Sequence, residues 1–157
     1  MPTPKVDVAV AMIACGEKIL AVHNPKWGAF SLPMTKRRKW RGPPVRPGAK
    51  DEEWQMAASR AAAEVLGRTL APEELPQPLD QVFEYRQNDA DGIWKFYNLH
   101  IFKMRLPKPP ASLGFGVVAE WLTVEQLHQR VPVSSTVRYL LKELEGADKL
   151  PPWSGVR

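Results

Sequence analysis

The stretch from Asp51 to Gly67 constrains this chain most, because it reads as a helix built to lie close against another element. Asp51, Glu52 and Glu53 place negative charge where a helix N-terminus favours it. The alanine-rich run that follows has high helix propensity as far as Leu66. Gly67 then supplies the left-handed position that commonly ends a helix. Trp54, Ala57, Ala58, Ala61, Ala62 and Val65 recur at i, i+3 and i+4 spacings and form one apolar face. Most of that face is alanine, so a sheet can approach it closely.

Strands flank this helix in the sequence. Val6–Ala14 and Ile19–His23 are rich in β-branched and small apolar residues, and the turn Cys15-Gly16-Glu17-Lys18 joins them as a hairpin of two interior strands. Trp27–Leu32 offers a short strand that Pro33 ends. After a linker from Pro72 to Pro78, Gln81–Arg86 and Gly92–Met104 flank a loop between antiparallel strands, and Val117–Leu122 is a further strand. Thr123-Val124-Glu125-Gln126 has the spacing of a capping box, opening a short helix through Gln129. Ser134 or Ser135 starts a last helix whose Val137, Leu140, Leu141 and Leu144 make one apolar stripe, ended by Gly146.

A length of 157 residues, 44% hydrophobic and 25% charged, suits one domain, expected over residues 1–146 with a loosely held tail at 147–157. The lone Cys15 excludes an internal disulfide framework and a multi-cysteine zinc site and fits a reducing, cytoplasmic setting. Val8–Cys15 is apolar but too short to span a bilayer, which argues against a membrane role. His23, His100 and His128 are too scattered to suggest a metal triad.

The net charge of +5 is concentrated. Lys36, Arg37, Arg38, Lys39, Arg41, Arg46 and Lys50 are all basic, with no acidic residue between them, so the rest of the chain sums to −2. Residues 36–50 show no apolar periodicity and read as a loop insertion, continuing the loop that starts at Met34; a loop this long is functional or disordered. Charge runs are usually solvated surface, but this one also has the composition of a polyanion site.

The order hairpin, loop, helix, hairpin, strand, helix resembles the Nudix hydrolase superfamily across roughly residues 5 to 145. Arg60-Ala61-Ala62-Ala63-Glu64-Val65-Leu66-Gly67 matches the second half of the Nudix box, G-x5-E-x7-R-E-U-x-E-E-x-G-U. Phe30-Ser31-Leu32-Pro33 stands in the place of W-x-L-P-G-G, and Glu120–Leu127 looks like the family's E-W element. The resemblance implies an α/β fold, a Nudix-like α/β/α sandwich around a mixed β-sheet. It also implies hydrolysis of nucleoside diphosphates linked to a second moiety, with Mg2+ held by box glutamates.

The box is degenerate. Positions 61, 64 and 65 share a helix face, and three carboxylates there would converge on metal and phosphate; this chain has Ala61, Glu64 and Val65. The family's first glutamate falls on Glu52, whose role by resemblance is to support the box through Arg60. Arg60 also has Glu64 four residues on, within ion-pair reach. Met34 and Thr35 replace the two glycines after Pro33, and Arg46 replaces the box's opening glycine.

Three functions therefore stay open. The leading one is a Nudix-fold module that binds a nucleotide or other phosphate-bearing ligand with weak or no hydrolysis, using Lys36, Arg37, Arg38, Lys39 and Arg41 in place of a cation, with Trp40 available to stack on a base. The second is a divergent pyrophosphohydrolase, in which Mg2+ would be held by Glu64 together with Glu52, Glu53 or Glu120. The third is an RNA- or protein-interaction module working through the basic loop.

Overall fold

The computed structural model describes residues 3–26, 28–38, 51–88, 91–129 and 132–153. Its centre is strand β1, Lys5–Cys15, in which residues 9–14 are fully buried. β1 runs parallel to β6, Trp94–Arg105, from Lys5 opposite Phe96 to Ala14 opposite Arg105. β6 in turn pairs antiparallel with β5, Gln77–Gln87, at the sheet edge. On the other side β1 turns through Gly16 into β2, Lys18–Asn24, which pairs with β3, Ala29–Ser31, and with β7, Ala119–Thr123. The result is one mixed sheet of seven strands.

Two residues expected in the long loop belong to this sheet. Met34–Thr35 form β4, which pairs antiparallel with β1 at Val10 and Ala9. Pairing rather than propensity makes this strand, since β1 offers a free ladder position where β2 has diverged from it. The linker expected at 72–78 is likewise structured: a single 3-10 turn at Pro72–Glu74, then the start of β5 at Gln77.

The side-chain alternation of β1 sorts the layers. Ala9, Ala11 and Ile13 face helix α1, Trp54–Leu66, whose Ala57, Ala58 and Ala62 are fully buried against them. Val10 and Met12 face the opposite way, toward Val137, Leu140, Leu141 and Leu144 of helix α3, Ser135–Gly146. Small residues on one face and large on the other set a close helix and a more distant one around the same strand. This is the α/β/α sandwich that the resemblance implies.

The helix ends follow local chemistry. Gly67 caps α1 at φ 71°, its N–H donating to Ala63 O. Helix α2, Val124–Gln129, opens with the reciprocal box: Thr123 N–H donates to Gln126 Oε1 at 2.8 Å and Gln126 N–H to Thr123 Oγ1 at 3.1 Å. Ser134 Oγ accepts from Val137 N–H at the start of α3. The tail departs from expectation over its described part. Leu150 and Trp153 pack against the α3-side core, and Arg105 Nη1 donates to Trp153 O at 3.2 Å.

Candidate functional site

Among the described residues, a concave site lies toward each end of helix α1 where it meets the sheet. The first, about 410 Å³, lies between the C-terminal half of α1 and the strands β2 to β4. Ala61, Glu64 and Val65 form its helical wall, facing Val22, Asn24 and Leu32 among others. Ala61 is 7% exposed and Val65 9%, whereas Glu64 is exposed. The i, i+3, i+4 geometry thus presents one carboxylate flanked by two apolar side chains. Glu64 is the one acidic side chain among the described residues lining this cavity.

Arg60, one residue before this wall, is engaged elsewhere. Its Nη2 donates to Glu52 Oε1 at 2.9 Å and its Nε to Glu52 Oε2 at 3.2 Å, a two-pronged pair. The same guanidinium donates to Lys36 O at 2.9 Å and to Thr35 Oγ1 at 3.4 Å. Glu52 Oε1 also accepts from Arg38 N–H at 2.9 Å. The Arg60 guanidinium is the main cause holding the Glu52 carboxyl below its ordinary pKa. Arg60 therefore pairs with Glu52 and touches Glu64 only as a neighbouring charge, not as the four-residue ion pair that spacing alone suggested. Glu64 instead lines the cavity, while Glu52, which also accepts from the Arg38 N–H, faces the guanidinium. Thr35, at a position where the resemblance calls for glycine, contributes a hydroxyl to the same network.

The other candidate carboxylates do not join Glu64. Glu53 is the N-cap of α1, eleven residues before Glu64 and so about 16 Å away along the axis. Glu120 shares the alternation of Leu122, which packs on the α3 side, while Ala119 and Trp121 face α1. Glu120 and Glu64 thus belong to opposite faces of the sheet. Among the described residues, no group of three or more His, Cys, Asp or Glu side chains is placed to hold a metal ion. The described residues do not fit the multi-carboxylate Mg2+ site that the fold family implies.

The second site lies at the other end of α1. A cleft of about 720 Å³ is lined by Lys5, Asp7, Lys36, Arg37, Arg38 and Trp54 together with Val6. Trp54 is ten residues before Glu64, about 15 Å along the helix. The described part of the basic segment therefore gathers at the N-terminal end of α1, away from the Glu64 cavity. Lys39, Trp40 and Arg41 lie outside the described residues.

Trp54 organises this cleft. Its ring stacks on His100 at 3.9 Å between centroids and 12° between planes, and the Arg37 guanidinium sits over it at 4.7 Å. Arg37 also pairs with Asp51 at 3.5 Å. Burial pulls the His100 pKa below its ordinary value against the opposing pull of Asp7. Asp7 Oδ1 lies 3.6 Å from His100 Nε2, too long for a hydrogen bond, and accepts instead from Asn98 Nδ2 at 2.8 Å. Sequence reasoning placed Trp54 on the apolar face and His100 among scattered histidines. Lys5 and Asp7 were missed, although the period-two pattern of β1 puts both on the α1 side with Ala9.

No family model and no curated protein sequence matches the chain. Solved structures do. The chain is similar to a MutT protein from Methanosarcina mazei, with a TM-score of 0.65 at 16% identity over 95% of this chain and 99% of that one. It is similar to the Nudix domain of Shewanella oneidensis NrtR, described in complex with ADP ribose, with a TM-score of 0.62 at 14% identity over 92% and 89%. The Ap4A hydrolase of C. elegans matches with a TM-score of 0.57 at 18% identity over 90% and 97%. The chain therefore has the Nudix fold.

Proposed function

We propose that this Nudix-fold chain binds a nucleotide or another phosphate-bearing ligand with weak or no hydrolysis. One observation carries the reading: Ala61 and Val65 flank Glu64 on the wall of the cavity, so the helix face that would gather metal and phosphate is mostly apolar. A lone carboxylate repels phosphate unless a cation intervenes. The cationic counterpart is the cleft at the N-terminal end of α1, where Lys36, Arg37 and Arg38 supply fixed positive charge and Lys5 adds to it. Guanidinium and ammonium groups meet phosphate oxygens directly, without a bridging metal. The complex of the NrtR Nudix domain with ADP ribose makes that compound the first probe to use. A strand of nucleotides offers the same phosphate chemistry as a single one.

Titration calorimetry with ADP ribose, in Mg2+ and again in EDTA, tests the reading, with 31P NMR following the diphosphate. Binding of similar affinity in both buffers is expected, with the diphosphate intact over hours. Lys36→Ala with Arg38→Ala should weaken binding at least tenfold, while Glu64→Gln leaves it unchanged or tightens it. Diphosphate cleavage that requires Mg2+ and is abolished by Glu64→Gln would establish the divergent pyrophosphohydrolase instead.

A further inference from the structure

The α1-side face of the β5–β6 hairpin is aromatic and open. Alternation along the two strands puts Phe83, Tyr85, Trp94 and Phe96 on this face, while Val82, Tyr97 and Leu99 turn to the α3-side core. Phe83 is 49% exposed, Tyr85 56% and Trp94 51%. The rings are ordered against one another. Tyr85 stacks on Trp94 at 5.2 Å and 28°, and Phe83 meets Phe96 at 5.7 Å and 41°. A hairpin spends such residues inside a core when it can, so their grouping on a solvent-facing sheet marks a contact surface.

Charge says what the surface contacts. Lys5 is in register with Phe96 on the neighbouring parallel strand, on the same face and about 5 Å away. Lys5 also lines the cationic cleft, so the aromatic face runs directly into Lys36, Arg37 and Arg38. Arg37 is paired with Asp51, and Asp7, which accepts from Asn98, keeps its charge in the cleft, so Lys5, Lys36 and Arg38 leave it with a positive excess. Phe83 and Tyr85 are two residues apart on one strand, roughly 7 Å, which suits bases held apart along an extended chain. Aromatic rings on an open sheet beside a positive groove are the two requirements for holding single-stranded nucleic acid: stacking for the bases and cations for the backbone. A duplex, whose bases are hidden in the helix, has no use for the rings.

We infer that the β5–β6 aromatic face and the adjoining cleft of Lys5, Lys36 and Arg38 form one binding surface for single-stranded nucleic acid, bases on Phe83, Tyr85 and Phe96 and phosphates in the cleft. The phosphate half rests on the cationic cleft of the proposed function, and the aromatic half is independent of it.

Fluorescence anisotropy with labelled single strands of roughly 12 nucleotides, as RNA and as DNA, and with the matching duplex, tests the inference. Single strands should bind at least tenfold more tightly than duplex. Phe83→Ala with Tyr85→Ala should cost at least tenfold in single-strand affinity while leaving ADP ribose binding by calorimetry unchanged, which separates this surface from the nucleotide reading. Lys5→Ala should reduce the slope of log affinity against log salt by about 1. Tighter RNA than DNA binding would assign the strand to RNA, and the reverse to DNA. Because the rings are exposed, the aromatic variant should keep its thermal midpoint. Equal affinity for single strand and duplex, or unchanged binding in the folded aromatic variant, overturns the inference. So does a dimer in light scattering that the aromatic variant dissolves without any change in strand affinity, which would assign the face to a second copy of the chain.

Discussion

Arg60 illustrates how one side chain can keep a scaffold role when its neighbours have lost a chemical one. Its guanidinium ties the helix to Glu52, Thr35 and Lys36, drawing the segment after β4 and the segment before α1 to the same point. Replacing it with alanine leaves the Glu52 carboxylate, whose side chain is 16% exposed, with only the Arg38 amide. Arg60→Ala should lower unfolding free energy by about 2 kcal/mol in urea titration, and Arg60→Lys should recover only part, because an ammonium cannot reproduce the fork. His100 gives a second residue-scale expectation. Burial against Trp54 lowers its pKa, so below about 6.5 the unfolded chain takes up a proton that the folded chain refuses. Stability should decline as pH falls from about 6.5 through the lowered folded value, and His100→Phe, which keeps a ring on Trp54, should flatten that part of the stability profile.

At the scale of elements, the C-terminal end of α1 is set by two glycines from distant parts of the sequence. Gly67 has φ 71°, and a Cβ there would stand 2.8 Å from Gly114 Cα. A Cβ on Gly114 would collide with Glu64 O, and Gly114 N–H donates to Val65 O at 2.8 Å. The loop before β7 thus crosses the helix end backbone to backbone. Gly67→Ala should lower stability by about 1–2 kcal/mol through left-handed strain and the contact with Gly114, seen as a lower thermal midpoint. Gly114→Ala, with ordinary φ, should destabilise through the clash alone. The closing glycine of the box was legible from its spacing; Gly114 was not, because nothing local distinguishes a glycine required by another segment. The same limit applies to β4: Met34 and Thr35 become a strand because β1 lies beside them.

For the whole molecule, the helix α1 separates two chemistries by its length. One end presents Glu64 as the one carboxylate among the described residues of a mixed polar and apolar cavity, the other Trp54 among cations. If ligand phosphate is held at the cationic end, ADP ribose should raise the thermal midpoint equally with and without EDTA, since stabilisation follows binding to the folded state alone. An increase that vanishes on chelation would return the function to Glu64 and a bound metal.

The helices, the capping residues Gly67, Thr123 and Ser134 and the apolar faces were legible in the amino-acid sequence, since these depend on periodicity and on interactions within a few residues, whereas the order of layers came from the resemblance to the Nudix family. The sequence also identified Glu64 as the remaining box carboxylate and residues 36–38 as concentrated positive charge. Tertiary structure alone decided which partners these groups have. Of the two partners expected for Arg60 it takes Glu52 rather than Glu64, Glu120 is set on the far side of the sheet by strand alternation, and Lys5 comes beside Phe96 through a parallel pairing spanning much of the chain and lines one cleft with Arg38. The physical reason is that charge and stacking act through space. The covalent order of residues specifies which groups exist, and the folded sheet specifies which of them are close enough to act together.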